Sequence, residues 1–347
     1  MPLLLKDIIR ILRKCAGRFT PHPIRILLEF YIRMMYGYHQ YASLKRTYQV
    51  ENIFLQYYKG TGDVYLSSVY LKYCEESATG KEKMRNSIFV VNGGNARRVT
   101  ELFGLENVTI VTLSEVKARS LVWISRFLGH EMLGIHFLHY VSDVPMYTNF
   151  LIFLAGLNGI GFMDLYRATV FQNKDFEPPA PKWSMDEEWA RNFFKKNHLT
   201  VGKTVLIAPD ASSIAEGPDE RFWIWLARYF RQNGYSVCTN LSMPKDKPIA
   251  GTKGVFIPYK NLASFLSLGD FFIGYRSGLC DLIASIDCKK IILYPKSMWP
   301  IFGGLGVGST LEVFSLNKMG IARDVIEIEF KESKWDKTIA EIVKVMD

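Results

Sequence analysis

The chain has 347 residues, of which 48% are hydrophobic and 22% charged, and its formal net charge is +9. This length and composition exclude a disordered chain and allow two domains of ordinary size, each with its own core. The five cysteines are odd in number and form no CxxC pair. They predict neither a disulfide framework nor a zinc site and favour a reducing, cytoplasmic compartment. We expect neither a signal peptide nor a transmembrane span.

Positive charge is concentrated at the start of the sequence. Residues 1–46 contain nine Lys or Arg residues against Asp7 and Glu29, a balance of +7, so the other 301 residues carry only +2. Apolar residues recur there at helical spacing, which predicts a basic, amphipathic helical arm over residues 1–48. Such helices lie on anionic membrane surfaces. The alternative is that they pack on the protein's own core, with the basic face in solvent.

Nucleic acid is not expected as a partner, because no basic stripe continues the arm into the rest of the chain.

After the arm, strands and helices alternate. Residues 51–58 form a predicted strand that ends in a glycine loop, and residues 87–91 and 108–112 are further apolar strands ahead of helical patterns. This alternation predicts a parallel sheet. Residues 49–172 are therefore assigned to one Rossmann-like α/β domain.

A proline-rich stretch interrupts the alternation. Three prolines fall within residues 173–184, which we predict to be the extended part of a linker over residues 173–200. Residues 201–310 then form a second Rossmann-like domain, and residues 311–347 add a strand and a helix. The predicted strands of this second domain are 204–208, 236–239, 255–258, 271–274 and 290–294. The fold class is thus α/β, with two doubly wound domains whose strands are covered on both faces.

Ligands of open parallel sheets bind at the carboxyl ends of the strands. The clearest loop of this kind follows the predicted strand 271–274, where Arg276, Ser277 and Gly278 open a helix. Ser277 is a suitable N-cap, the free amides behind it favour an anion, and Arg276 offers donors to a phosphate. The alternative is a structural arginine paired with an acid such as Asp281.

Two further segments are assigned to the same phosphate-binding function. Asp210, Ser212 and Ser213 follow the strand 204–208, and their loop should lie beside that of Arg276 in a doubly wound domain. Pro258, at the end of the predicted strand 255–258, is included as a donor-binding residue.

In the first domain, Gly60, Gly62 and Asp63 form the loop after the first strand. The glycines permit close backbone approach, and Asp63 stands near the start of a helix. The loop has neither the GxGxxG fingerprint of dinucleotide binding nor a Walker lysine. Asp63 is a candidate general base, and the alternative is that it caps the helix through the amides of Tyr65 or Leu66.

Metal-binding patterns are missing from the sequence. His130, Glu131, His136 and His139 lack the HExxH spacing, and no Asp-x-Asp triplet occurs. We therefore expect no metal and no other cofactor.

Several of these motifs resemble those of bacterial GT-B glycosyltransferases that build surface polysaccharides and, more distantly, heptosyltransferases. The resemblance rests on KGTGDVYLSS, APDASS, FWxWLARYFRQNGYSVCTN and FFIGYRSGLCDLIAS followed by KKIILYP, within residues 52–75 and 203–296. It implies a catalytic base at Asp63 and donor-phosphate contacts at Arg276, Ser277 and Gly278. Heptosyltransferases usually carry Asp-Thr-Gly and a helix histidine where this chain has Arg-Ser-Gly and Asp281, so heptose is not carried over.

The resemblance implies a metal-independent glycosyltransferase that moves a sugar from a nucleotide-sugar donor, held in the second domain, to a glycan or lipid-linked acceptor, held in the first. The basic residues 1–46 would then place it in the cytoplasm, peripherally at the inner face of a membrane. Two alternatives stay open. One is a nucleotide-sugar epimerase with the same architecture, and the other is a non-catalytic, membrane-associated partner.

Overall fold

A computed structural model describes residues 22–138, 160–169, 171, 173–211, 217–295, 310–331 and 335–346 of the chain. The chain divides into two compact units. The first unit comprises residues 1–59, 70–97 and 105–143, and the second comprises residues 60–69, 98–104 and 144–347. The glycine loop 60–63 thus belongs to the second unit.

Each unit is built on one parallel sheet. The strands are β1 Asn52–Gln56, β2 Ser87–Asn92, β3 Thr109–Leu113 and β4 Ile135–Phe137 in the first unit, and β5 Thr204–Ala208, β6 Ser236–Asn240, β7 Lys253–Val255, β8 Phe271–Tyr275, β9 Lys289–Pro295 and β10 Val325–Phe330 in the second. The strand orders are β3-β2-β1-β4 and β10-β9-β8-β5-β6-β7. Both sheets are parallel throughout their described strands. The predicted α/β class with two parallel sheets is confirmed.

The described helices alternate with these strands. They are α1 His22–Tyr48, α2 Thr61–Glu76, α3 Ala78–Met84, α4 Gly94–Glu101, α5 Glu115–Leu128, α6 His130–Leu133, α7 Phe162–Thr169, α8 Glu187–Asn197, α9 Glu220–Gln232, α10 Leu262–Leu266, α11 Gly278–Ile283, α12 Thr310–Phe314, α13 Leu316–Met319 and α14 Trp335–Met346. A short 3-10 helix, Tyr259–Asn261, precedes α10. None of the helices in the described ranges is long and apolar enough to cross a membrane.

The first sheet packs its apolar strands under α1 and α5. Ile53 and Val90 are fully buried, and Ile135 of β4 and Val111 of β3 lie in the same buried cluster. Helix α1 packs closely against α5. Glycine at position 37 permits this contact, because a Cβ there would lie 2.6 Å from the Ser120 carbonyl oxygen. Tyr41 Oη donates to the Leu133 carbonyl at 3.0 Å. The described part of the predicted basic arm therefore packs on the first unit's own core.

The second sheet is covered by helices that carry a large aromatic core. Phe222 and Phe230 of α9 lie in the same buried cluster as Phe271 and Ile273 of β8. Strands β5 and β8 are buried along their whole length and β9 is buried after Lys289, which explains why they read as continuous apolar runs in the sequence.

Two segments differ from the sequence prediction. Residues 187–197, assigned to the linker, form α8, whose Phe194 packs against Phe265 at a ring-centroid distance of 5.0 Å. The strand predicted at residues 255–258 is instead β7, Lys253–Val255. Pro258 has φ −58° and precedes the 3-10 helix, because a proline ring fixes φ and removes the N–H that a strand would use.

Candidate functional site

The candidate site begins where the second sheet reverses its strand order. Strand β5 lies between β8 and β6. After β5 the chain adds β6 and β7 on one side of it, and then β8, β9 and β10 on the other side. Ala208 at the end of β5 is in register with Gly274 near the end of β8. The two strands therefore end side by side, as the prediction for their loops requires, and a switch point of this kind is where open α/β sheets bind ligands.

Arg276 follows β8 and is buried, with only 7% of its surface exposed. Its guanidinium forms a bidentate ion pair with Asp281, with Nη2 to Oδ1 at 2.6 Å and Nη1 to Oδ2 at 3.0 Å. It also donates to the Ser277 carbonyl at 2.8 Å and the Phe314 carbonyl at 3.3 Å. This is the structural pairing that the sequence left open as an alternative. A direct contact from Arg276 to a phosphate stays a prediction.

Ser277 and Gly278 connect this pair to the loop that carries Asp63. Ser277 occupies the N-cap position of α11, but its hydroxyl makes no capping hydrogen bond. It lies 3.7 Å from Cys280 Sγ instead. A Cβ placed on Gly278 would lie 2.1 Å from the Gly62 amide nitrogen, so the two backbones touch where both residues are glycine.

The same contact brings Asp281 to the glycine loop. A Cβ on Gly62 would meet Asp281 Oδ2 at 3.1 Å, which places the carboxylate of the ion pair directly beside the loop backbone. Both segments belong to the second unit. Two loops that are more than 200 residues apart in the sequence therefore form one site.

Asp63 is the third residue of α2, not the residue that precedes the helix as the capping alternative assumed. Its Oδ2 lies against Gly60, because a Cβ built on Gly60 would be only 2.5 Å from this oxygen. Burial of the carboxyl group, with a smaller contribution from the negative charge of Asp281, raises the pKa of Asp63 from 3.8 to about 6. Asp63 can therefore exchange a proton close to neutral pH.

Residues outside the predicted set also contact the loop. Thr61 Oγ1 lies 3.3 Å from Tyr259 Oη, and Tyr259 directly follows Pro258. Pro258 is thereby placed next to a residue that contacts the glycine loop. Tyr65 is fully buried one turn into α2, and burial raises its pKa. Nothing in the sequence pairs Thr61 with Tyr259, because the contact joins distant segments.

The loop after β5 is described only in part. Asp210 lies at the protein surface, where partial desolvation of its carboxyl group, followed by the charge of Asp246, raises its pKa. Ser212 and Ser213 lie outside the described residues. The structure thus brings together Gly60, Gly62, Asp63, Arg276, Ser277 and Gly278, and it places Asp210 after the neighbouring strand. Across the described ranges, no group of three or more His, Cys, Asp or Glu side chains is arranged to hold a metal ion.

Comparison with known proteins gives similarity of fold at low identity. The Escherichia coli ADP-heptose LPS heptosyltransferase II is 12% identical with a TM-score of 0.48, over 80% of this chain and 90% of that one. A glycosyl transferase of family 9 from Veillonella parvula is 14% identical with a TM-score of 0.48, over 84% and 89%. Escherichia coli heptosyltransferase WaaC with ADP is 13% identical with a TM-score of 0.46, over 84% and 99%.

No protein-family model matches the sequence, and no curated protein matches it. One fold hosts many activities, so similarity at this level assigns none to the chain. An activity has to be argued from the site itself.

Proposed function

We propose that this protein is a glycosyltransferase that moves a sugar from a nucleotide-sugar donor to a hydroxyl group of a glycan or lipid-linked acceptor. The observation that carries the proposal is the half-buried carboxyl group of Asp63, which has a pKa of about 6 and lies in a glycine loop packed on the Ser277–Gly278 backbone. A strongly shifted carboxyl group in such a loop is typical of a functional site.

Asp63 would act as the general base of this reaction. A sugar hydroxyl is a poor nucleophile at neutral pH, and a positioned base contributes about 100-fold to 10,000-fold by accepting its proton as the anomeric carbon is attacked. A base works best when its pKa lies near the working pH. An ordinary exposed aspartate, with a pKa near 3.8, would be a weaker proton acceptor than Asp63.

The donor phosphates are assigned to the switch point of the second sheet. The hydroxyl of Ser277 makes no capping bond, so it can donate to a ligand oxygen. The phosphate contacts predicted for Arg276, Ser277 and Gly278 are kept as part of the proposal. The Arg276 guanidinium also binds Asp281 and the Ser277 and Phe314 carbonyls, so it holds the segment in place as well. The donor-side assignment made from the sequence motifs is kept for Asp210, Ser212, Ser213 and Pro258.

The leaving diphosphate would be stabilised by hydroxyl and amide donors. The sequence-based expectation that the reaction needs no metal is kept as part of the proposal. The acceptor class and a role in surface polysaccharide synthesis come from the motif resemblance.

The first experiment is thermal unfolding with adenosine, uridine, guanosine and cytidine diphosphates. A ligand that binds only the native state at 100 times its Kd adds about 2.7 kcal/mol, which raises Tm by a few degrees. The corresponding nucleotide sugar is then supplied with and without acceptor. Release of nucleoside diphosphate that requires an acceptor supports transfer, whereas an altered sugar nucleotide formed without acceptor would identify an epimerase.

The decisive variant is Asp63→Asn, which keeps the size and polarity of the side chain but cannot accept the proton. We expect unchanged nucleotide binding and turnover lower by about 100-fold to 10,000-fold. The wild-type rate should rise with pH up to about 6 and level off above it, because the base is active when deprotonated. Turnover of the variant within a few-fold of wild type would exclude Asp63 as the base.

A further inference from the structure

Helix α1 carries a row of large side chains that the protein leaves exposed. Leu28, Tyr31, Met35 and Tyr38, called the α1 stripe below, have exposed fractions of 38%, 60%, 52% and 53%. Their spacing of three, four and three residues places them within about 80° of the helix circumference, at 100° per residue. Exposed rows of this kind on one helix face mark interaction surfaces rather than scattered surface residues.

The stripe lies on a different face of α1 from the one that packs on the first unit. The packed side is formed by Gly37, Tyr41 and Leu44, which lie against α5, the Leu133 carbonyl and the first core. The helix is therefore held in place by one face while the other presents Leu, Met and two Tyr side chains. The stripe does not depend on the site around Asp63.

The sequence that leads into α1 is basic. The segment immediately before α1 contains five basic residues, Lys6, Arg10, Arg13, Lys14 and Arg18, against one acidic residue, Asp7. Within the 27 residues of α1, the sequence contains one acidic residue, Glu29. Arg46 is exposed on the same side of the helix as the stripe, at the spacing that continues it.

We propose that the α1 stripe docks this protein on the surface of an anionic lipid bilayer. Tyrosine suits this position, because its ring enters the interface while its hydroxyl stays hydrated. The basic residues complement anionic headgroups, which attract Lys and Arg side chains near the surface. A second copy of the chain fits less well, because pairing two such surfaces would bring like charges together.

The test is co-sedimentation of the full chain with vesicles of phosphatidylcholine alone or mixed with phosphatidylglycerol. The variant is Tyr31→Ser/Met35→Ser. The matched control is Met185→Ser/Met243→Ser, two methionines with exposed fractions of 56% and 50% in the second unit. We expect wild type and control to bind the mixed vesicles and the stripe variant to bind about tenfold more weakly. Added salt should weaken wild-type binding, because the headgroup attraction is screened.

Several outcomes would overturn the proposal. They are failure of the wild type to bind mixed vesicles, equal binding by the stripe variant, and an equal loss in the methionine control. Thermal unfolding and light scattering separate the other occupants. If the stripe variant melted several degrees below the control, the stripe would be covered by the protein's own chain. If it only abolished a concentration-dependent dimer, the partner would be a second copy. None of these results depends on whether the protein transfers sugars.

Discussion

Two neighbouring segments of the second unit each carry an aspartate, and the two carboxyl groups are treated in opposite ways. Asp281 lies in the first turn of α11 and receives two nitrogens of Arg276. Asp63 lies in the first turn of α2, where burial and the charge of Asp281 raise its pKa to about 6. Asp281, whose charge is neutralised by Arg276, holds a backbone segment in place. Asp63, whose ionisation is costly, can gain and lose a proton near neutral pH. The difference separates a positioning group from a reactive one.

The largest effect should follow from breaking the compensated pair. Asp281→Leu leaves the Arg276 guanidinium buried with carbonyl partners only, and we expect a loss of about 3–5 kcal/mol in the free energy of unfolding. The double variant Arg276→Met/Asp281→Leu removes both charges and should lose much less. Urea unfolding of the two single variants and the double variant measures the coupling.

The exposed pair Arg191–Glu187 is the control for that cycle. Its atoms are 3.7 Å apart and its side chains are 65% and 73% exposed. Glu187→Gln should change stability by less than about 1 kcal/mol, because water screens the pair. Equal losses in the single and double variants at Arg276 and Asp281 would mean that packing, not charge compensation, explains the cost.

At Asp63, by contrast, removal of the ionisable group should raise the free energy of unfolding. A folded-state pKa above the unfolded value favours the folded state while the group is protonated, and this advantage is lost as pH rises through about 6. Asp63→Asn does not titrate, so it should be more stable than wild type by up to about 3 kcal/mol at pH 7.5 and by about half of that at pH 5. Chemical unfolding at the two pH values measures the difference.

A stability gain that did not change between pH 5 and pH 7.5 would show that ionisation of Asp63 is not its source. A loss of stability at both pH values would favour a structural hydrogen-bonding role for the carboxylate. A stabilised but inactive Asn variant would link the cost of ionisation to the proposed reaction.

Glycine-to-glycine contact is what brings the two aspartates together, and Gly278→Ala should break it. The added methyl group would lie 2.1 Å from the Gly62 nitrogen, a backbone atom that cannot rotate away. We expect a loss of about 1–3 kcal/mol in the free energy of unfolding. Gly94→Ala is the matched control, because Gly94 also begins a helix and a Cβ added there would meet no atom within 4 Å.

The control should be neutral or stabilised by up to about 1 kcal/mol, since alanine is the better helix residue. If both variants behaved alike, the close approach of Gly62 and Gly278 would not constrain the fold. If Gly278→Ala kept its stability but shifted the pH dependence assigned to Asp63, the contact would still set the environment of that carboxyl group.

Much of this fold follows from local patterns in the sequence. Strand-like patterns predicted eight of the ten described strands within two residues, whereas β7 shares only Val255 with its predicted strand. The doubly wound order then predicted that β5 and β8 end side by side. Helix α8 could also have been found, because Asp186 precedes it, Glu187 and Glu188 occupy its first turn, and lysines end it. The proline-rich stretch before it drew that region into the predicted linker.

The site itself was less predictable than the sheets. The sequence offered Arg276 as either a phosphate ligand or a partner of Asp281, and local spacing could not decide between them. The environment of Asp63 depends on Asp281, which is 218 residues away, and on backbone contact through Gly278. Such side-chain pairings are products of tertiary packing, which local periodicity does not encode.

The smallest effect concerns the hydrogen bond that joins the glycine loop to the residue after Pro258. Tyr259→Phe removes the hydroxyl that lies 3.3 Å from Thr61 Oγ1, and a partly buried bond of this length should contribute about 0.5–1 kcal/mol. Thr61→Val should cost a similar amount. If the two hydroxyls serve each other, the double variant should lose no more than either single variant, since one bond can be removed only once. Additive losses would mean that each hydroxyl has another partner.

This bond anchors the first residue of α2, two positions before Asp63. Tyr259→Phe should therefore also lower turnover by a few-fold while leaving the pKa of Asp63 near 6. That result would separate the orientation of the base from its proton affinity.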